Sequence, residues 1–377
     1  MRQHKILFII LLLAIAKVGQ SQVTIEVTNQ YPFDRVDEII EVQASDFNGF
    51  SLSKNLILKD STNKEIPYQL IYSGTETAQS IVFPVNVKTG TKAKYTLSSG
   101  TPKAVKAKTY ACFVPERKDD FAWENDLAAY RMFGPASADE NTSDGVELWL
   151  KRTDTPTLNS FYEGELKQGK PYNIDHGQGI NCYTVGHTLG AGGVAPYVNG
   201  ELMVGNHFDS YEILDNGPLR STFKLIYNNV DINGKAYTKE IIISTSAGSI
   251  LNKAIVKFIG EKQDIQLATG IFLHNGKGAL QKAPGLMVYG EDAIVEKTQE
   301  NVGKHYVGLV LPEKEDEYKI QKVTALYINN YTTDNVFTYY FGGGWSKWKF
   351  PTQKEWLAAV RQFANEVRYP VAVKIIK

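Results

Sequence analysis

Leu219-Arg-Ser-Thr-Phe-Lys-Leu-Ile-Tyr-Asn228 sets Phe223, Leu225 and Tyr227 two residues apart, with Lys224 and Ile226 between them. A period of two belongs to a strand that buries one face and wets the other. The neighbouring segment 236–244 reads the same way, as does 250–259 with Ile255, Val256 and Phe258. Further strands are expected at 145–151, 211–214, 265–273, 286–289, 305–311, 322–327 and 336–341. Long alternating strands of this kind pack as a wide two-sheet sandwich whose concave face can hold a ligand.

Outward from that block, residues 23–108 read as shorter strands (23–27, 38–42, 56–58, 66–72, 80–87 and 93–97) split by Asp-Ser-Thr-Asn, Ser-Gly-Thr and Lys-Thr-Gly-Thr turns. Regular spacing of this sort predicts a small antiparallel sandwich. Residues 98–108, with Gly100, Pro102 and several lysines, read as a linker, which divides the chain into 22–108 and 109–377. Near the C-terminus Trp356, Val360, Phe363 and Val367 form a helical stripe. Thr352 with Glu355 reads as its capping box, Pro370 ends it, and a last strand is expected at 371–376. The fold class is therefore all-β, a small N-terminal β-sandwich plus a large two-sheet sandwich with one C-terminal helix.

Residues 1–21 have the form of a secretory leader. Arg2 and Lys5 precede the apolar run 6–16, and Gly19-Gln20-Ser21 ends it with small residues at the positions a signal peptidase reads. The run is too short for a membrane-spanning helix, and no cysteine follows it to carry a lipid. An exported, periplasmic protein is expected. The leader holds three basic residues (Arg2, Lys5 and Lys17), so 38 of the 41 Lys+Arg remain against 41 Asp+Glu, a net of −3. That balance excludes an electrostatic footprint for nucleic acid or an anionic membrane. Cys112 and Cys182, the only cysteines, allow either a disulfide or two free thiols, and they exclude a thiolate metal site.

Three clusters carry candidate chemistry. The first is Tyr172-Asn-Ile-Asp-His-Gly-Gln-Gly-Ile-Asn-Cys-Tyr-Thr-Val-Gly-His-Thr-Leu-Gly-Ala-Gly-Gly193, where six glycines surround two of the six histidines. Glycine permits positive φ and close ligand approach. His176 and His187 are the expected bases, Asp175 the carboxylate that orients them, Tyr183 an acid, and His207 a neighbour for binding. Three histidines and a carboxylate also suit a divalent ion, but their spacing matches no compact metal motif, so no cofactor is assigned. His274 and His305 read as hydrogen-bonded framework. The second cluster runs from Phe121 to Pro135. Trp123 offers a sugar platform, Glu124 a carboxylate and Arg131 a clamp for a uronate; the rival reading is a strand in which Arg131 pairs internally. The third is Tyr339-Tyr-Phe-Gly-Gly-Gly-Trp-Ser-Lys-Trp-Lys-Phe-Pro351, read as a glycine loop tipped by Trp345 and Lys347 for gripping a charged glycan, or as a hairpin turn beside core tryptophans.

Glu124-Asn-Asp with Tyr130-Arg131 and Gly134-Pro135, then His176-Gly-Gln-Gly with Tyr183 and Gly190-Ala-Gly-Gly, then Asp215-Asn-Gly-Pro-Leu-Arg220, resemble an uncharacterised secreted domain family, a domain of unknown function. That family is frequent in the polysaccharide-utilisation loci of Gram-negative glycan degraders, and the resemblance covers most of the chain. It implies a galactose-mutarotase-like supersandwich and the company of pectin- and uronate-degrading enzymes. It supplies no catalytic residues to carry over, and fold analogy alone does not fix function.

Three functions follow. One is cleavage of a uronate-containing oligosaccharide. By β-elimination, Arg131 or Arg220 meets the carboxylate, His176 or His187 takes the proton and Tyr183 gives one; by hydrolysis, Asp175 and Glu124 act as the carboxylate pair. The second is a mutarotase or epimerase using the same groups. The third is non-catalytic glycan binding led by Trp345.

Overall fold

A computed structural model describes residues 22–138, 140, 142–205 and 207–376. The expected leader, residues 1–21, lies outside these. The alternation that opened the reading is realised in the strand Arg220–Ile232, where Phe223, Leu225 and Tyr227 are buried and the residues between them are half-buried. It belongs to an eight-stranded antiparallel sheet in the order Ser210–Gly217, Arg220–Ile232, Lys235–Ser246, Asn252–Ile259, Phe337–Trp345, Glu300–Val310, Leu286–Val295 and Ala279–Ala283. Two five-stranded sheets complete the sandwich. One is built from residues 110–180 and the other from residues 191–332. Both meet the large sheet in one core that includes Trp123, Tyr130, Phe223, Leu267, Tyr327 and Phe341. The protein is all-β in class.

Two helices cover outer faces. Helix α2 (Gln353–Arg368) carries the expected capping box, with Thr352 and Glu355 each satisfying the other's backbone. It buries Trp356 and Val360 against Val288, Tyr306 and Val310 of the eight-stranded sheet. Helix α1 (Leu158–Lys167) was not anticipated. Its helical face is short and its start bears no acidic residue of its own. The Glu124 carboxylate supplies the missing partner, accepting hydrogen bonds from the backbone N–H of Thr157 at 2.7 Å and Leu158 at 2.9 Å. A negative group at a helix N-terminus is favoured there, and a distant strand donates it.

The N-terminal segment forms two small sheets around a second core. One of them is completed by the last strand of the chain, Ala372–Ile376, which pairs antiparallel with the first, Gln22–Thr28. The unit also docks on the large sandwich through Asp215 and Arg220. Asp215 accepts from the backbone of Tyr72 and Ser73 at 2.7 and 2.9 Å, and Arg220 pairs with Glu41 at 2.6 Å.

The triple glycine is not a loop. Gly342 to Gly344 lie inside the central strand Phe337–Trp345, because the two sheets approach too closely for side chains. A Cβ on Gly343 would stand 2.4 Å from Leu148 and 2.7 Å from the Tyr306 carbonyl.

Candidate functional site

A cavity of about 400 Å³ opens where the Gly-rich segment crosses the edge of the first five-stranded sheet. Arg117, Arg131, Tyr172, Asn181 and Tyr183 are on its wall, with Thr142 beside them. The glycines of this segment shape the crossing. Gly190 has φ +59°, and a Cβ there would come within 2.2 Å of the Val146 carbonyl.

One part of the wall is an ion knot on buried strands. Arg131 sits on Ala128–Met132, between Asp120 on the strand before it and Glu147 on the strand after it. Its guanidinium meets Asp120 at 2.8 Å and Glu147 at 2.7 Å. Phe133, Trp149 and Tyr172 stack on it, at 4.7 to 5.6 Å from the ring centres. Asn181 donates to Glu147 at 3.1 Å and Tyr162 to Asp120 at 3.2 Å. Burial pushes the Asp120 carboxyl up to about 6 against the pull of Arg131 and Arg117. Arg131 is therefore committed internally, the rival reading of its sequence. Arg117 differs: it is half-buried, its Nε donates to the Tyr172 hydroxyl at 3.2 Å, Glu140 lies 3.6 Å from its Nη2, and among the described residues its Nη1 has no partner, whereas on Arg131 both Nη atoms are taken and only Nε is left over.

The other part of the wall leads to a second knot. Tyr183 is 1% exposed, its hydroxyl has no partner, and its ring packs edge-on against His274 and His305, with centroids 4.7 and 5.1 Å apart. Burial drives the Tyr183 hydroxyl well above the ordinary tyrosine range. Glu291 joins the two imidazoles. Its Oε1 is in hydrogen-bond contact with His274 Nδ1 and lies 3.0 Å from His305 Nε2. Its Oε2 accepts from the Tyr289 hydroxyl at 3.0 Å. His274 Nε2 faces the Thr184 carbonyl at 2.8 Å, so both nitrogens of that ring point at oxygen. Burial raises the Glu291 carboxyl, but the two histidine contacts outweigh it and bring the group down to about 2. Burial lowers the His305 pKa despite Glu291, and its Nδ1 is unpartnered.

Sequence reading set His274 and His305 aside as framework. Glu291 and His305 are cross-strand neighbours in the hairpin of Leu286–Val295 and Glu300–Val310. Met287, Tyr289, Ala293 and Val295 share the inward parity of Glu291 and lie in the core. A carboxylate at the inward parity of an apolar strand was the available signal. His274 follows its strand in a His-Asn-Gly turn, with φ +45°, a region where a non-glycine residue is uncommon.

Of the residues singled out in sequence, Arg131 and Tyr183 reach the cavity wall. His207 stands just behind it, its Nε2 at 2.9 Å from the Thr142 hydroxyl, with its pKa lowered by burial. The others take different places. His176 is exposed and contacts the Pro171 carbonyl at 3.1 Å, and His187 is exposed. Asp175 braces the turn, accepting from Gly177 at 2.8 Å and pairing with Arg152 at 3.1 Å. Glu124 is fully buried against Lys151 and the start of α1. Arg220 is spent on the N-terminal unit. Trp123 is core and donates to Asn252 at 3.2 Å. Trp345 is also core, donating to the Val302 carbonyl at 2.9 Å, while Lys347 lies exposed over its ring. Cys112 and Cys182 are free, and burial pushes both thiols up to about 12.

Sequence reading weighed a divalent ion among His176, His187 and His207 and assigned none; among the described residues the group that could hold one is a different set. His274, Glu291 and His305 bring one ligand atom each to within 4.8 Å of one another. Among the described residues, no helix is long and apolar enough to cross a membrane.

Comparison with known proteins shows the family and a likeness of fold. The family described as "Domain of unknown function (DUF4861)" matches residues 27–373. The chain is 26% identical over 381 residues to "Uncharacterized protein P7" of Formosa agariphila, covering 96% of this chain and 95% of that protein. Among solved structures it is similar to a protein in the glycosyl hydrolase family 38 from Enterococcus faecalis, with TM-score 0.54 and 9% identity over 96% of this chain. It is also similar to an α-mannosidase from Enterococcus faecalis V583, with TM-score 0.52 and 9% identity over 95% of this chain. The chain spans 48% and 46% of those two chains. At this identity the likeness is one of fold.

Proposed function

The chain belongs to the DUF4861 family, and from that premise and its cavity we propose an exported, periplasmic carbohydrate-active protein that cleaves uronate-containing oligosaccharides by β-elimination. The observation that carries the proposal is the cavity wall itself. Arg117 Nη1 and the Tyr183 hydroxyl, both buried and unpartnered, belong to residues of one sugar-sized hollow. Buried polar atoms without partners are rare and call for an explanation. The likeness to an α-mannosidase fold gives carbohydrate context; the chemistry comes from these side chains.

Arg117, not Arg131, is the group for the uronate carboxylate, since both ends of the Arg131 fork are already occupied. A guanidinium on that carboxylate stabilises the negative charge that develops when the C5 proton leaves. His207, kept neutral at pH 7 by its lowered pKa, is the base, taking the C5 proton through the Thr142 hydroxyl that it meets at 2.9 Å on the wall. The C5–H electron pair becomes the C4–C5 double bond as the C4–O4 bond breaks. Tyr183, which burial keeps protonated, gives its proton to the leaving oxygen. The Tyr172 and Phe133 rings offer apolar surface for sugar C–H faces. Hydrolysis is less well served, because Glu147 and Glu140 on the wall are engaged with arginines, which leaves Glu296 there without a second free carboxylate to pair with it.

The test is incubation with pectin, alginate, ulvan and glycosaminoglycan oligomers, followed by ultraviolet absorbance of the unsaturated product. Absorbance that disappears in Tyr183→Phe and Arg117→Met supports the reading. New reducing ends without absorbance would replace elimination by hydrolysis. Neither product nor calorimetric binding across the panel would overturn the carbohydrate assignment.

A further inference from the structure

We propose that His274 Nδ1, Glu291 Oε1 and His305 Nε2 are the protein ligands of a divalent transition metal of the zinc class, bound where Tyr183 separates the histidines from the cavity. Two imidazoles and a carboxylate are a donor set that zinc and its neighbours accept, with a position left open. The three ligand atoms lie within 4.8 Å of one another, on Glu291 and His305 that are 6% and 3% exposed.

The groups around these atoms are those that orient metal ligands. A ligating histidine gives its other ring N–H to a backbone carbonyl, and a ligating carboxylate is itself hydrogen-bonded. His274 Nε2 stands 2.8 Å from the Thr184 carbonyl, and Tyr289 donates to the free oxygen of Glu291 at 3.0 Å. Oxygen faces both nitrogens of the His274 ring, and a neutral imidazole has a single N–H for the two contacts. A cation at Nδ1 removes that shortfall, because the ring then needs a single N–H, and Thr184 receives it.

Seating the ion parts His274 and His305 from Glu291 and replaces two direct hydrogen bonds with metal bonds. Among the described residues the ion-pair partners of Glu291 are the two histidines alone, so no lysine or arginine competes with a metal for its charge.

The experiment uses the full chain, stripped with a chelator, dialysed, and titrated with zinc by calorimetry and with cobalt by visible spectroscopy. The expected result is one ion per chain with tetrahedral-type cobalt bands. Affinity should fall by about a hundredfold or more in His305→Gln and Glu291→Gln, since losing a ligand exceeds losing an outer partner. His176→Ala, an exposed histidine, should bind as the wild type does. No stoichiometric uptake by the stripped wild type overturns the proposal, as does uptake that both ligand variants retain. If the variants do not fold, the wild-type cobalt spectrum decides alone, with bands supporting the site and their absence removing it. Uptake is read without sugar, so failure here leaves the uronate reading intact, and failure of sugar binding leaves the metal site intact.

Discussion

Two buried polar knots adjoin one cavity, the first on its wall and the second behind Tyr183, and they differ in where their positive charge comes from. Around Arg131 the cation is part of the chain, permanently charged and held by two carboxylates and three rings. Around Glu291 there is one carboxylate and two bases, so the cation has to arrive as a proton or a metal. The first arrangement holds a permanent cation and behaves as structure. On the metal proposal above, the second takes its cation from the medium. Sequence reading named the arginine as a clamp, with internal pairing as its rival, because its type and neighbours looked functional. The comparison teaches that a charged residue already balanced by its own fold is a poor candidate for balancing a ligand.

The largest effect should come from breaking the fixed knot. Arg131→Met strands Asp120 and Glu147 without their cation, and losses of about 3–5 kcal/mol are usual for a buried pair broken on one side. Denaturant unfolding measures it, and a loss under about 1 kcal/mol would erase the contrast drawn here. Next comes chelation of the wild type. A metal at a hundred times its dissociation constant stabilises the native state by about 2.7 kcal/mol, so the melting temperature should drop on stripping and return with zinc. Smaller again is Tyr183→Phe, which deletes a hydroxyl that has no partner. Stability should stay within about 1 kcal/mol of wild type, while product formation on uronate oligomers falls at least tenfold; a large stability loss would move Tyr183 to the structural side.

The smallest effect belongs to a third acidic site, where α2 meets the N-terminal unit. Burial raises Glu366 to about 7, Gln362 pulls it down, and Glu38 pushes it up. A carboxyl raised in the folded state contributes stability below its unfolded pKa of 4.5 and loses it as pH rises through about 7. Wild type should therefore weaken over that window by about 1 kcal/mol after solvent screening. Glu366→Gln should show a flatter profile, read from denaturant midpoints at several pH values.

Much of the fold was legible because it is written locally. Phe223, Leu225 and Tyr227 reveal their strand without any partner, and Thr352 with Glu355 marks the helix start within four residues. What escaped was non-local. Helix α1 depends on Glu124, which lies more than thirty residues before it and arrives through sheet pairing. Gly343 looks like loop chemistry until Leu148 and Tyr306 crowd it from other strands. The candidate site shows the same division. Tyr183 was visible as a tyrosine in a glycine-rich stretch, but its neighbours His274, Glu291 and His305 come from a turn and a hairpin far along the chain. Arg117 was overlooked because nothing local distinguishes it from any lysine or arginine in a turn. Trp123 and Trp345 were misleading for the opposite reason, since an indole looks the same in sequence whether it is buried or presented to a sugar.

The pairing of Gln22–Thr28 with Ala372–Ile376 ties the earliest described strand to the latest. A chain that emerges from its N-terminus exposes that first strand with one edge unfilled throughout the synthesis of the large sandwich. The N-terminal sheet is thus finished last although it is made first, and an exposed strand edge in the interim invites pairing with other chains. Deleting the final strand should therefore register as aggregation of the N-terminal unit, at the opposite end of the polypeptide from the cut.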